Sequence, residues 1–286
     1  MIEPRIAFFG GEPLGAPTLE ALTNAGYQPA LVVCNPDRPF GRGQQLAVPP
    51  VKALAQQHNL PVWQPTTLKP NAPELAGEWD LFIVVAYNKI LPTWLIELPK
   101  HKTINVHPSL LPKLRGASPI RSALLRDEPE HVGVSIMCVD EEMDHGPLLA
   151  QERLAIEPDA WPLTGPELDR RLIEHGAALL VETLPRYLAG EISPKPQEHA
   201  EASYCGKLTK DMAELTIEPH QLPAGEAAWR AYLTIQAFAG AGEAWFMHQD
   251  KRYKITNAHL EGERLVIDTV VPAGKAEADF SQVFRV

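Results

Sequence analysis

Apolar positions along the chain alternate between two textures. Residues 5–9 (RIAFF), with an apolar run at 6–9 closed by Gly10 and Gly11, have the pattern of a strand buried on both faces. Residues 16–25 then place Leu19 and Leu22 at helical spacing. The alternation repeats with a strand at 30–34, a loop rich in Pro, Arg and Gly at 35–50, and a helix at 51–57. Residues 81–86 are the most apolar strand, and 104–107 and 134–139 are further strands. A longer helix is predicted within 164–188, with Leu168, Leu172, Ala178, Leu179 and Leu184 on its apolar side. Strands alternating with helices predict an α/β fold, a doubly wound, parallel-rich sheet covered on both faces.

Near residue 189 the texture changes. Residues 190–200 (GEISPKPQEHA) are polar, contain two prolines and lack a period. A linker at 190–203 is therefore expected between a domain at 1–189 and a smaller one at 204–286. The second part has one amphipathic helix at 225–238, bearing Trp229, Tyr232, Leu233 and Phe238. Short alternating strands follow at 244–247, 253–258 and 265–271, so this part reads as β-rich.

Composition narrows the class. Of 286 residues, 45% are hydrophobic and 22% charged, which excludes wholesale disorder and fibrous repeats. The longest apolar runs are too short to span a bilayer, so no membrane association is expected. The start of the chain has no basic segment followed by an apolar core, so no signal peptide is expected. Cys34, Cys138 and Cys205 are odd in number and far apart, which suits a reducing cytoplasm and argues against a disulfide scaffold or structural zinc. A net charge of −10 argues against indiscriminate nucleic-acid binding while leaving room for a local basic patch. The 28 prolines imply many extended loops and sharp turns.

The first strand-to-helix turn, Phe9-Gly10-Gly11-Glu12-Pro13-Leu14-Gly15, is neither a dinucleotide fingerprint nor a P-loop. It reads as a glycine turn packing helix against sheet, or as backbone amides lining a pocket at the sheet's carboxyl edge; the two are compatible. The segment 103–121 carries more. Asn105 and His107 are two apart on a strand, so both side chains leave the same face. Pro108 and Pro112 then lead the chain off the sheet, and Gly116 and Pro119 shape a turn before the next helix. An amide beside an imidazole suits carbonyl chemistry, one donating to a developing oxyanion and the other accepting a proton. An acid from the segment 140–144 would orient the imidazole and stabilise its charged form.

Asn-x-His-Pro-Ser-Leu-Leu-Pro at 105–112, Arg-Gly-Ala-x-Pro-Ile at 115–120 and Asp-x-Gly-Pro at 144–147 together resemble the folate-dependent formyltransferases. The resemblance implies a Rossmann-like catalytic domain in which Asn105, His107 and Asp144 take the catalytic places. It assigns folate-binding places to Ala86, Tyr87, Asn88, Ile90 and Leu91, to Ser109, Leu110, Leu111 and Pro112, and to Asp140. The co-substrate it implies is 10-formyltetrahydrofolate, with no metal. Residues 35–52 (NPDRPFGRGQQLAVPPVK) resemble the loop with which members of the family engage tRNA, which implicates Arg38 and Arg42. Residues 204–210 (YCGKLTK) resemble the opening of the family's OB-like C-terminal domain and add Lys207 and Lys210 to the tRNA-binding set. The implied activity is formyl transfer to the α-amine of initiator methionyl-tRNA for translation initiation, by a cytoplasmic monomer. A sister enzyme acting on an amino-sugar nucleotide, a formyltetrahydrofolate hydrolase using the same three residues, and a non-catalytic binder are the competing readings.

The chain departs from the family pattern in three places. Asn88 stands where a glycine is usual, and Asn tolerates left-handed backbone. Residues 239–243 (AGAGE) replace an aromatic, proline-rich stretch. The C-terminal part is also short, so a closed five-stranded barrel is not expected. Residues 201–286 hold nine Lys or Arg against twelve Asp or Glu, so tRNA binding weaker than the family norm is expected.

Overall fold

The computed structural model describes residues 4–40 and 45–285. In chain order the first elements are β1 (Ile6–Gly10), α1 (Gly15–Asn24), β2 (Leu31–Cys34), β3 (Arg38–Phe40), β4 (Gln45–Ala47), α2 (Pro50–Gln57) and β5 (Val62–Trp63). Then come β6 (Leu81–Val85), α3 (Thr93–Ile96), β7 (Thr103–His107), β8 (Arg115–Gly116), α4 (Pro119–Arg126), β9 (Gly133–Cys138), β10 (Leu148–Arg153) and α5 (Gly165–Leu188). The chain ends with β11 (Tyr204–Cys205), α6 (Glu226–Phe238), β12 (Trp245–His248), β13 (Lys251–Glu261), β14 (Arg264–Pro272), β15 (Ala278–Asp279) and α7 (Phe280–Phe284). These elements sort into two compact units. One holds residues up to Arg115 with 133–154 and 169–204; the other holds 116–132, 155–168 and 205–286.

The first unit is built on a seven-stranded sheet in the order β10-β9-β7-β6-β1-β2-β5. Its strands from β5 to β7 run parallel, while β9 and β10 are antiparallel to their neighbours. This is the Rossmann-like α/β class. Every residue of β1, β2 and β6 is buried, as their unbroken apolar runs predict. Beside them Phe9, Trp79, Phe82 and Tyr87 form an aromatic cluster with ring centroids 5.2 to 5.7 Å apart. Gly176 of α5 lets the helix approach the sheet closely, since a Cβ there would lie 3.1 Å from Val106 and 3.3 Å from Val134.

Several expectations need correction. The stretch 35–50 is not loop throughout, because β3 and β4 pair antiparallel within it. The short strand β5 and the antiparallel edge strand β10 carried no recognisable pattern. Ala178 is exposed rather than on the buried side of α5, where Leu172, Leu179, Leu180 and Leu184 point inward. The left-handed residue after β6 is Ala86, with φ +53°, and not Asn88. Residues 190–203 lie against the sheet: Lys195 and Leu148 exchange backbone hydrogen bonds of 2.8 and 2.7 Å, and Gln197 is buried.

The second unit has a four-stranded antiparallel meander, β12-β13-β14-β15, with α6 against it and against α4. Phe246, Tyr253, Phe280 and Phe284 fill its apolar face. Among the described residues no ladder joins β12 to β15, so the sheet stays open. Asp127, in left-handed conformation at the end of α4, accepts one indole N–H on each oxygen: Trp161 at 2.8 Å and Trp229 at 2.7 Å.

Candidate active site

The carboxyl ends of β1, β6 and β7 form the edge on which the site is built. Gly11 follows β1 and donates to the Val85 carbonyl at 2.9 Å. A Cβ at Gly11 would lie 2.0 Å from the Ala86 carbonyl oxygen, so only glycine fits where the two strand ends meet. On β7 the pleat puts Asn105 and His107 on one face; Asn105 is half-buried and His107 is 4% exposed.

The surroundings of His107 assign its two nitrogens different tasks. Nε2 lies 3.0 Å from the Leu114 carbonyl oxygen. A carbonyl can only accept, so Nε2 carries the proton in the neutral ring. That carbonyl is aimed at the ring by a left-handed turn at Leu114, φ +59°. Nδ1, left with its lone pair, lies 3.6 Å from Asp144 Oδ1. This is beyond ordinary hydrogen-bond length, so the carboxylate acts on the ring chiefly through its charge. Ring orientation comes from Leu114, a residue that carried no sequence signal.

The loop that presents Leu114 is tied down from several sides. Ser203 accepts the Arg115 N–H on its carbonyl at 2.8 Å and the Leu114 N–H on its hydroxyl at 2.9 Å. Ser135 of β9 donates to the Ser109 carbonyl at 2.7 Å and accepts from the Leu111 N–H at 3.1 Å. Gln151 of β10 donates to the Leu111 carbonyl at 2.8 Å. None of Ser135, Gln151 and Ser203 stood out in the sequence, because their partners are distant along the chain.

The residues assigned to folate by resemblance divide in two. Ser109 and Leu111 are buried in the loop's own support, with the Ser109 hydroxyl donating to the Lys113 carbonyl at 2.7 Å. Leu110 and Pro112 are half-buried. Ile90 is 91% exposed and Asn88 is exposed, whereas Tyr87 and Leu91 are buried. Among the described residues the buried Tyr87 hydroxyl has no hydrogen-bond partner, and burial pushes its pKa up to about 12. Thr93 donates to Glu141 at 3.0 Å, which joins the segment after β6 to the segment that carries Asp140 and Asp144. Asp140 itself pairs with His145 at 2.7 Å.

Of the residues assigned to tRNA, Arg38 is exposed at the start of β3, and Arg42 lies outside the described residues. The base of that loop is fixed by Asp37, which pairs with Lys52 at 2.6 Å and accepts from Gln64 at 2.8 Å. These two bonds, Lys52 first, hold the Asp37 carboxyl below its ordinary pKa. In the second unit Lys207 and Lys210 are exposed. Lys210 lines a cavity of about 300 Å³ with Trp245, Arg252 and Lys254. Among the described residues no cluster of His, Cys, Asp or Glu is arranged to hold a metal ion, and no helix is long and apolar enough to cross a membrane.

A Rossmann-like α/β sheet whose strand β7 presents an amide and an imidazole on one face, with a carboxylate 3.6 Å from the imidazole, offers the groups that carbonyl chemistry uses. The chain belongs to the formyl transferase family, whose model matches residues 4–184. A Synechococcus sp. (strain JA-3-3Ab) protein named methionyl-tRNA formyltransferase is 44% identical over 217 residues, covering 74% of this chain and 66% of the relative. A protein of the same name from Halorhodospira halophila is 44% identical over 209 residues, covering 72% and 66%. The chain thus spans about two thirds of the length of the curated relatives it matches. Among solved structures, the N-formyltransferase of Helicobacter canadensis, in complex with folinic acid and dTDP-3-aminofucose, superimposes with a TM-score of 0.65 at 19% identity, covering 92% of this chain and 89% of that one. A 4-N formyltransferase from Francisella tularensis gives 0.65 at 18% identity, covering 93% and 97%. These two likenesses carry the fold.

Proposed function

We propose that the chain transfers the formyl group of 10-formyltetrahydrofolate to the α-amine of initiator methionyl-tRNA, giving N-formylmethionyl-tRNA for translation initiation. The observation that carries the reading is His107, with Nε2 committed to Leu114 and Nδ1 facing Asp144, in a formyl transferase whose relatives bear that name. The amine attacks the formyl carbon as a neutral nucleophile, and a nitrogen–carbon bond forms. His107 Nδ1 takes the amine's proton, directly or through a water, and Asp144 stabilises the imidazolium. Asn105 donates to the formyl oxygen while it carries negative charge. Collapse breaks the bond from carbon to N10 of the folate, and the proton held on Nδ1 goes to that nitrogen.

In this reading the first unit, with residues 190–203 against its sheet, carries the chemistry, and residues 205–286 support tRNA binding as part of a cytoplasmic monomer. Ala86, Tyr87, Asn88, Ile90, Leu91, the 109–112 loop and Asp140 would border the folate. Fit to that co-substrate is supported by the Tyr87 hydroxyl, buried and unpartnered among the described residues, and by the 91% exposure of Ile90. Arg38, Arg42, Lys207 and Lys210 would meet tRNA phosphates. The test is a low-salt formylation assay offering 10-formyltetrahydrofolate with initiator or elongator methionyl-tRNA, an amino-sugar nucleotide, or water alone. Formyl incorporation confined to initiator tRNA is expected. Folate turnover without a tRNA product would overturn the reading in favour of a hydrolase or a sugar enzyme.

A further inference from the structure

We infer that Gln197 is a positioning residue that holds Asp144 against His107. This rests on the reading of Asn105, His107 and Asp144 as the reacting groups. Gln197 is 5% exposed, and its carboxamide is engaged at both ends. Its Oε1 accepts from Arg115 Nη2 at 2.7 Å and from Arg115 Nε at 3.2 Å. Its Nε2 donates to the carbonyls of Asp144 at 3.0 Å and Gly146 at 2.7 Å. A guanidinium can only donate and a carbonyl can only accept, so the orientation of the amide is fixed from both sides.

Arg115 is itself buried, at 1% exposure, and makes two further bonds, to His199 Nδ1 at 2.9 Å and to the Tyr204 hydroxyl at 3.3 Å. The His199 ring stacks on His145 with centroids 3.9 Å apart and planes 7° from parallel. The frame thus grips the loop after β9 at three successive residues: Asp144 and Gly146 through Gln197, and His145 through His199. Asp144 needs such a grip because it sits at φ +50°, a conformation unfavourable for most side chains. At 3.6 Å the carboxylate has no tight hydrogen bond to His107 that would hold it in place. The backbone frame fixes the segment from which the carboxylate reaches His107.

The discriminating variant is Gln197→Glu. It keeps the acceptor for Arg115 and the side-chain shape, but turns lone pairs toward the two loop carbonyls. A thermodynamic cycle with Asp144→Asn separates positioning from general support. With 10-formyltetrahydrofolate and methionyl-tRNA, Gln197→Glu should lower kcat at least tenfold while KM for both substrates stays within threefold. In an Asp144→Asn background the same change should lower kcat less than twofold, because the carboxylate it positions is already gone. An equal fold-loss in both backgrounds would overturn the inference, as would an unchanged kcat in the single variant. Gln197→Met, which removes the donors without adding charge, repeats the cycle if the glutamate variant fails to fold. If Asp144→Asn alone keeps the full rate, the reading of the site falls and takes Gln197 with it; that outcome is visible before Gln197 is touched.

Discussion

Replacing Asp144 with Asn removes one charge and almost no volume, so it isolates what that charge does for His107. The two groups are 3.6 Å apart, with side chains 5% and 16% exposed. At an effective dielectric of about 20, a full charge pair at that distance interacts by roughly 5 kcal/mol, and by about half that at twice the dielectric. In the proposed mechanism the imidazole gains its charge as the amine attacks, and the full interaction belongs to that step. Its loss therefore raises the barrier rather than weakening ground-state binding. At about 1.4 kcal/mol per decade, kcat should fall by between roughly fifty-fold and two thousand-fold, with KM for the folate and the tRNA little changed. Single-turnover formyl transfer at saturating substrate measures this directly. A kcat within threefold of the parent would refute the argument, since no reasonable dielectric makes so close and buried a charge inert.

Other expectations follow from the same geometry. Asn105→Ala should lower kcat about a hundredfold or more with the fold intact, as removal of an oxyanion donor does elsewhere; an unaltered rate would take Asn105 out of the reaction. Asp127→Ala should destabilise the second unit by about 3 kcal/mol, because both indole N–H groups of Trp161 and Trp229 lose a charged acceptor. Urea unfolding followed by tryptophan fluorescence would show it, and a shift under 0.5 kcal/mol would contradict it. Alkaline pH should weaken the first unit. Burial pushes the Cys34 thiol up to about 11, so above its ordinary pKa of 9.0 the unfolded chain releases a proton that the folded chain keeps. Stability should be full below pH 9 and fall by up to about 3 kcal/mol as pH rises toward 11, with Tyr87 adding a further loss above pH 10. Cys34→Ala should flatten the first part of that decline in urea midpoints taken from pH 8 to 10.5. Arg42→Ala should raise KM for methionyl-tRNA while leaving KM for the folate unchanged.

How much of this was legible in the sequence depends on how local each signal is. The strands β1, β2 and β6 are continuous apolar runs, and any chain that buries such runs on both faces must write them that way. Helix α6 ends at Phe238, where the apolar spacing ends. Strand direction is not written locally: β9 is a buried run like the parallel strands, yet it pairs antiparallel with both β7 and β10. β3 and β4 hide in a Pro- and Gly-rich stretch, and β5 is two residues long. Asn88 looked suited to left-handed backbone because of its side chain, yet the structure puts that conformation at Ala86, where β6 meets Gly11.

The candidate site divides along the same line. Asn105 and His107 were visible as a polar pair two apart on an apolar strand, whereas Asp144 was singled out from its acidic segment only by the family resemblance. What holds them is made of neutral or ordinary groups: a Leu114 carbonyl, the Ser203 and Ser135 hydroxyls, and the Gln197 amide. Each matters through a partner far along the chain, and Gln197 and Arg115 are separated by 82 positions. No pattern over ten or twenty residues can encode such a pairing. Residues 190–203 therefore look like a linker for a physical reason. Their prolines and polar residues follow no helical or strand period because they satisfy a buried arginine, two loop carbonyls and the edge strand β10 one contact at a time. In the proposed mechanism the reacting groups belong to β7 and the loop after β9, and this aperiodic segment is what grips that loop.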